Sequence, residues 1–88
     1  MTEFDVPQCL GFILAQTAEL TGQPTPSPED AFVAAGGDSF AAIMLTAAIE
    51  DRFGLLIDIL DVFQAASLTG LAEVVVGRQA DAALPRNA

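Results

Sequence analysis

The chain has 88 residues, and its twelve acidic residues outnumber three arginines, with no lysine, so the net charge is −9. This length predicts one domain with a modest core, and the charge excludes nucleic-acid binding and disfavours an anionic membrane surface. The charge favours a partner with a basic docking patch, or serves only to keep a small apolar domain in solution.

The first predicted element is a helix from Pro7 to Thr21. Asp5 is placed to cap its start, Pro7 suits its first turn, and Gly22 is a typical stop signal. Three prolines within five residues then make residues 23–38 a long connection. We expect Phe32 to pack against the core, because an irregular segment of this length needs anchoring.

A second helix is predicted from Ser39 to Phe53, between a cap at Asp38 and a terminating glycine at position 54. Residues 55–60 have the composition of a strand, but no other strand exists for them to pair with. We therefore predict a short third helix, from about Asp58 to Phe63.

Ser67 is predicted to cap a fourth helix, Leu68 to Arg78, followed by a frayed tail over residues 79–88. The sequence thus predicts an all-α fold, a small four-helix bundle with a long first connection. We expect a single domain over residues 1–88, with an ordered core over about residues 6–78.

The residue inventory argues against an independent enzyme. Without histidine or lysine, neither a Ser-His-Asp triad nor a Ser-Lys dyad can form, and His/Cys metal clusters are excluded by counting. The one cysteine, Cys9, excludes an internal disulfide and is predicted to pack rather than react. The acidic N-terminus does not resemble a signal peptide, and no uninterrupted apolar span is present, so a cytoplasmic monomer is expected.

The segment Gly36-Gly37-Asp38-Ser39 is the candidate site. Two glycines free the backbone and remove side chains, so that another enzyme can reach the Ser39 hydroxyl. A helix start carries partial positive charge and free N–H groups, which stabilise a phosphate there. By themselves, however, these four residues are also compatible with an ordinary turn followed by a helix cap.

Two stretches carry a family resemblance. Phe32 followed by Gly36-Gly37-Asp38-Ser39 resembles the phosphopantetheine attachment motif of carrier proteins, most closely the peptidyl and aminoacyl carriers of nonribosomal peptide synthesis. Residues 53–68 are similar to the third-helix region of the same family. Together the resemblance covers about residues 8–76, and two separated matches are more specific than one.

The resemblance implies a bundle of acyl-carrier type with 4'-phosphopantetheine on Ser39, at a site formed with Gly36, Gly37 and Asp38. A phosphopantetheinyl transferase adds the arm from coenzyme A, with magnesium at the transferase. The arm then holds an aminoacyl or acyl group as a thioester, so the chain is a shuttle and not an enzyme. Because no adenylation or condensation sequence is attached here, we expect the partners to act in trans in a specialised-metabolite pathway: an adenylation or acyl-loading enzyme, then condensing, tailoring or thioesterase enzymes.

The cargo is left open. Gly-Gly-Asp-Ser favours the peptidyl type, whereas the strong negative charge favours acyl carriers of polyketide or fatty-acid pathways. Phe40 stands where the family usually has Leu, and Asp58 and Ala66 stand where Pro is common, which leaves the subfamily undecided. An acidic helical interaction module without a cofactor is the remaining alternative.

The second helix has two predicted faces. The face toward the core comprises Ala42, Leu45, Thr46, Ile49 and Phe53. The opposite face is unusually apolar, and we interpret it as a docking surface unless these residues are core instead. Its members are Phe40, Ile43, Met44, Ala47 and Asp51. Nearby acids either meet a basic rim on a partner or form a solvated face: Glu50, Asp51, Asp58 and Asp61.

Overall fold

A computed structural model describes residues 4–83, with side chains through residue 80. Within that range the chain forms four helices and no strand, which confirms the all-α prediction. The helices are α1 Val6–Thr21, α2 Ser39–Phe53, α3 Ile59–Gln64 and α4 Leu68–Ala83. The predicted bounds of α2 are confirmed, α1 begins one residue earlier than predicted, and α3 is shifted by one residue at both ends.

Reciprocal side-chain bonds begin α1. Asp5 Oδ1 accepts the N–H of Gln8, and Gln8 Oε1 accepts the N–H of Asp5, both at 2.9 Å. This capping box satisfies two donors that a helix start would otherwise leave without partners. At the other end Gly22 takes a left-handed conformation (φ 79°), and its N–H donates to the Ala18 carbonyl. The predicted start and stop signals of α1 are therefore confirmed.

The fourth helix is longer than predicted. The expected tail over residues 79–88 is wrong for its first part, because α4 continues to Ala83. Gln79 explains the extension: its Oε1 accepts the N–H of Phe4 at 3.0 Å, and its Nε2 donates to the Phe4 carbonyl at 2.9 Å. The N-terminal segment thus holds this part of α4. Residues 84–88 lie outside the described range.

Contacts between chain segments fix the directions of α1 and α2. A Cβ on Gly36, just before α2, would lie 3.5 Å from the Cβ of Thr21, at the end of α1. The rings of Phe4, before α1, and Phe53, at the end of α2, lie 4.2 Å apart. The two helices therefore run antiparallel. We name the end of the bundle at Ser39 the open end and the end at Phe53 the closed end.

The fourth helix begins at the open end. The N–H of Leu68 donates to the Asp30 carbonyl at 2.8 Å, in the long connection that leads to α2. From there α4 reaches the closed end, where Gln79 binds Phe4. It consequently runs antiparallel to α1.

The core draws on every helix and on the long connection. Phe32 is only 2% exposed, as predicted, and the predicted core face of α2 is buried at its central residues, with Thr46 and Phe53 half-buried. No helix within the described residues is long and apolar enough to cross a bilayer. The buried apolar residues are Cys9, Ile13, Phe32, Ala35, Ala41, Ala42, Leu45, Ile49, Ile57, Val62, Leu68, Leu71, Ala72 and Val75.

Candidate functional site

The start of α2 presents a serine hydroxyl to solvent. Asp38 has an extended backbone (φ −119°, ψ −174°), and its Oδ1 accepts the N–H of Ala41 at 2.9 Å. The Asp38 carbonyl accepts the first intrahelical bond, from Ala42. Ser39 is therefore the first helical residue, with its side chain exposed, as the sequence predicts.

Three serines lie in the described chain, and their hydroxyls differ. Ser27 Oγ accepts the N–H of Glu29 at 3.2 Å, and Ser67 Oγ accepts the N–H of Gly70 at 2.9 Å, which confirms the predicted cap of α4. By contrast, no hydrogen bond among residues 4–83 engages Ser39 Oγ. Ser39 is the serine whose hydroxyl is both exposed and without a structural hydrogen bond in that range.

The two positions before Asp38 require glycine for different structural reasons. Gly36 has φ 95°, a left-handed conformation that strains any residue with a side chain. Gly37 is buried, and a Cβ there would overlap the ring of Phe32. The expectation that both glycines clear the surface for an approaching enzyme is therefore wrong for Gly37, whose missing side chain makes room for a core ring beneath the site.

Backbone bonds hold the segment around Phe32 in place. The Phe32 carbonyl accepts the N–H of Gly37 at 2.9 Å, which closes a helical turn just before α2. Further upstream, the Pro28 carbonyl accepts both the N–H and the Oγ1–H of Thr69, each at 3.0 Å. The long connection is thus bonded to the first turn of α4, which holds the backbone that leads to Ser39.

The outward face of α2 is exposed along its length, as predicted. Phe40 is 71% exposed, Ile43 52% and Met44 44%, and Ala47 and Asp51 also face solvent. These residues are not core, so the alternative assignment of the faces is wrong. Their role in docking stays a prediction.

Sequence reasoning missed a second exposed apolar group, in α3 and just before it. Phe63 packs edge-on against Phe32, with ring centroids 6.2 Å apart, which places α3 beside the Ser39 segment. The signal was available, because a six-residue helix buries one side only and residues 55–60 are almost entirely apolar. The exposed members are Leu56, Ile59, Leu60 and Phe63.

The acids near this group are not all free to meet a partner. Asp58 and Asp61 form a reciprocal capping box at the start of α3, and Asp61 also lies 3.0 Å from the guanidinium of Arg78. The expectation that Asp61 meets a partner's basic rim or lies on a solvated face is therefore wrong, because its carboxylate is engaged within the fold. Glu50 and Asp51 remain exposed on α2.

Cys9 takes no part in the site. Its side chain is fully buried in the core, as predicted, and burial raises the pKa of its thiol to about 11. The thiol is therefore protonated near neutral pH and inaccessible, in agreement with a packing role.

The residues at the open end fit a phosphopantetheine group. Ser39 is exposed at the first position of α2, its Oγ is unbonded within the described chain, and the start of a helix favours a phosphate. A small helical bundle that offers such a serine at the start of its second helix has the architecture of a carrier protein.

The chain belongs to the phosphopantetheine attachment-site family, whose model matches residues 12–75. Members of this family are carrier proteins rather than catalysts, with 4'-phosphopantetheine covalently attached to a serine. No curated protein and no solved structure shows significant similarity to the chain. The family match supports a carrier over an interaction module without a cofactor.

Proposed function

We propose that the chain is a peptidyl or aminoacyl carrier protein whose phosphopantetheine is attached to Ser39. The observation that carries this assignment is the Ser39 hydroxyl, which is exposed at the first position of α2 and unbonded within residues 4–83. The other serines of the family match, Ser27 and Ser67, use their hydroxyls to hold a turn and a helix start. When bound, the group supplies a terminal thiol that takes an acyl group as a thioester.

The surroundings of Ser39 support a phosphodiester at this position. Ser39 lies at the N-terminus of α2, the positive end of the helix dipole, which favours a negatively charged phosphate. The Asp38 carboxylate, which would repel a phosphate, is engaged by the N–H of Ala41. Beneath them the Phe32 ring and Gly37 hold the backbone, so a transferase meets a preformed segment.

The outward face of α2 is proposed to dock on partner enzymes. Three large apolar side chains stand exposed there, and a patch of this kind beside the attachment serine fits an apolar recess on a partner. Glu50 and Asp51 lie exposed on the same helix, and the whole chain carries a net charge of −9. The recess is therefore proposed to have a basic rim. The docking residues are Phe40, Ile43, Met44, Ala47 and Asp51.

The proposed partners are enzymes that add, load or unload the phosphopantetheine arm. They comprise a phosphopantetheinyl transferase, an adenylation or acyl-loading enzyme, and condensing, tailoring or thioesterase enzymes of a specialised-metabolite pathway in the cytoplasm. Gly-Gly-Asp-Ser supports the aminoacyl type. The net charge of −9 supports the second candidate, an acyl carrier of polyketide or fatty-acid type. Loading the holo protein with an adenylating enzyme or with an acyl transferase separates the two.

The assignment of Ser39 is tested by intact mass. The purified chain is incubated with coenzyme A, magnesium and a promiscuous phosphopantetheinyl transferase, and it should gain one phosphopantetheine unit. Ser39→Ala should gain none, whereas the matched control Ser27→Ala should gain one. An unmodified wild type, or modification of Ser39→Ala, would overturn the proposal.

A further inference from the structure

Arg78 joins α4 to α3 and to the segment before it. Its Nη2 donates to Asp61 Oδ1 at 3.0 Å, and its Nη1 donates to the Leu56 carbonyl at 3.2 Å. The guanidinium thus spans the residues that lead into α3 and the first turn of that helix. A planar guanidinium suits this task, because it directs two donors at two acceptors in a fixed geometry.

The carboxylate that Arg78 meets also starts α3. Asp61 Oδ2 accepts the N–H of Asp58, and Asp58 Oδ1 accepts the N–H of Asp61, both at 3.1 Å. With Oδ1 bound to Arg78, both carboxylate oxygens of Asp61 are in use. Asp61 is 18% exposed, so its charge-assisted bond to Arg78 is partly shielded from water.

The third helix needs such support. It has six residues, Ile59–Gln64, and Val62 is its one buried residue. A helix this short does not hold its conformation in water by itself, so its order depends on contacts with the rest of the fold. Its exposed apolar side chains include Phe63, which packs against Phe32 below the Ser39 segment.

We propose that Arg78 is a positioning residue, which holds α3 in the arrangement that partner enzymes recognise beside Ser39. The proposal rests on the proposed carrier function. Arg78 itself lies on α4, outside the apolar surface, and acts through Asp61 and the Leu56 carbonyl. The other arginine among the described side chains, Arg52, lies instead over the ring of Phe53, 5.0 Å from its centroid, at the closed end.

Arg78→Met tests the proposal, because it keeps most of the side-chain length and removes both donors. The matched control is Arg52→Met, which makes the same change in net charge away from α3. The full apo chain is used as the substrate of a promiscuous phosphopantetheinyl transferase with coenzyme A and magnesium. Arg78→Met should raise the KM for the chain several-fold with little change in kcat, and Arg52→Met should leave both constants unchanged.

Amide hydrogen exchange gives a second readout that needs no partner. In Arg78→Met, the amides of residues 59–64 should exchange about tenfold faster, the factor expected for a lost charge-assisted contact, while those of α1 keep their rates. Arg78→Lys keeps the charge and should restore part of both effects. Asp61→Asn provides the same test from the other partner, since the amide can still accept from Asp58 but offers Arg78 no carboxylate.

The outcomes separate the two proposals. A wild type that the transferase does not modify overturns the carrier function, while hydrogen exchange still decides whether Arg78 holds α3. Equal KM values and equal exchange in wild type and Arg78→Met overturn the role of Arg78 alone. Equal changes in Arg78→Met and Arg52→Met assign the effect to net charge and also overturn it. If Arg78→Met does not fold, Asp61→Asn decides by the same criteria.

Discussion

Phe40 and Phe53 lie in the same helix, at its two ends, and their surroundings differ. Phe40, at the open end, is 71% exposed. Phe53, at the closed end, is half-buried against the rings of Phe4 and Phe12, whose centroids lie 4.2 and 5.3 Å away, with the Arg52 guanidinium over its ring. A phenylalanine at the end of α2 can therefore be buried by this fold, and the exposure of Phe40 is a property of the open end.

The comparison separates apolar surface that stabilises the fold from apolar surface that is left for partners. At the closed end the aromatic side chains contact one another, and their burial stabilises the bundle. At the open end the ring of Phe32 is covered, while Phe40 stays in solvent one residue from Ser39. At the open end, substitution of the covered Phe32 should thus lower stability, whereas substitution of the exposed Phe40 should affect partner recognition.

The largest effect is expected from Phe32→Ala. Phe32 is 2% exposed, and removing a buried phenylalanine costs about 3–5 kcal/mol of unfolding free energy. The control Phe40→Ala, also at the open end, should change stability by less than about 0.5 kcal/mol, because its ring lies in solvent. Urea unfolding followed by circular dichroism measures both.

Phe40→Ala should nevertheless slow modification by the phosphopantetheinyl transferase, if its face docks on partners. If Phe40→Ala is as destabilised as Phe32→Ala, then Phe40 is covered in solution, and the contrast between the open end and the closed end is contradicted. A variant with unchanged stability and unchanged modification kinetics would remove Phe40 from the docking surface.

The next effect concerns the closed end. Gln79→Ala should lower the unfolding free energy by about 1–2 kcal/mol, because two part-buried hydrogen bonds to Phe4 are lost. Amide exchange in the last turns of α4 should also become faster. Gln64→Ala, at an exposed glutamine of α3, is the matched control and should change stability by less than about 0.5 kcal/mol. Equal effects would mean that Gln79 does not hold the two segments together.

A smaller effect, of opposite sign, is expected from Thr17→Val. Thr17 is fully buried near the open end of α1, and its Oγ1 has no hydrogen-bond partner in the described chain. Valine keeps the shape and removes the unsatisfied hydroxyl, so stability should rise by about 1 kcal/mol. Thr46→Val is the control. Because Thr46 Oγ1 donates to the Ile43 carbonyl at 2.8 Å, this variant should not be more stable than the wild type.

Local signals in the sequence were sufficient to place the four helices, apart from the end of α4, and to identify the start of α2. Caps and stops act within a few residues, so Asp38, Gly22 and Gly54 could be assigned from their neighbours. The exposure of Ser39 followed from its position directly after the cap. The outward face of α2 followed from helical periodicity, because the period alone fixes which residues share a side.

Contacts between distant segments could not be predicted in this way. The extension of α4 depends on Gln79 meeting the backbone of Phe4, 75 residues away along the chain. The burial of Gly37 depends on the ring of Phe32, and the engagement of Asp61 within the fold depends on Arg78. Each of these is a tertiary contact, and local sequence patterns do not indicate it.

The last prediction concerns Cys9, which lies in α1 near the closed end of the bundle. Its ionisation should affect stability only at alkaline pH. Burial raises the pKa of the thiol from 9.0 to about 11, so between these values the unfolded chain releases a proton that the folded chain retains. The contribution of this thiol to the unfolding free energy should therefore be constant below pH 9 and should fall as the pH rises from 9 through 11. Urea midpoints across this range measure the slope.

The composition makes this slope simple to interpret. The chain has no lysine, tyrosine or histidine, so no other side chain has its ordinary pKa between pH 9 and 11. Cys9→Ala should remove the alkaline slope. Thr17→Val, buried on the same face of α1 toward the open end, should keep it and only raise the whole curve. A slope that persists in Cys9→Ala would show that alkaline unfolding has another origin than the burial of this thiol.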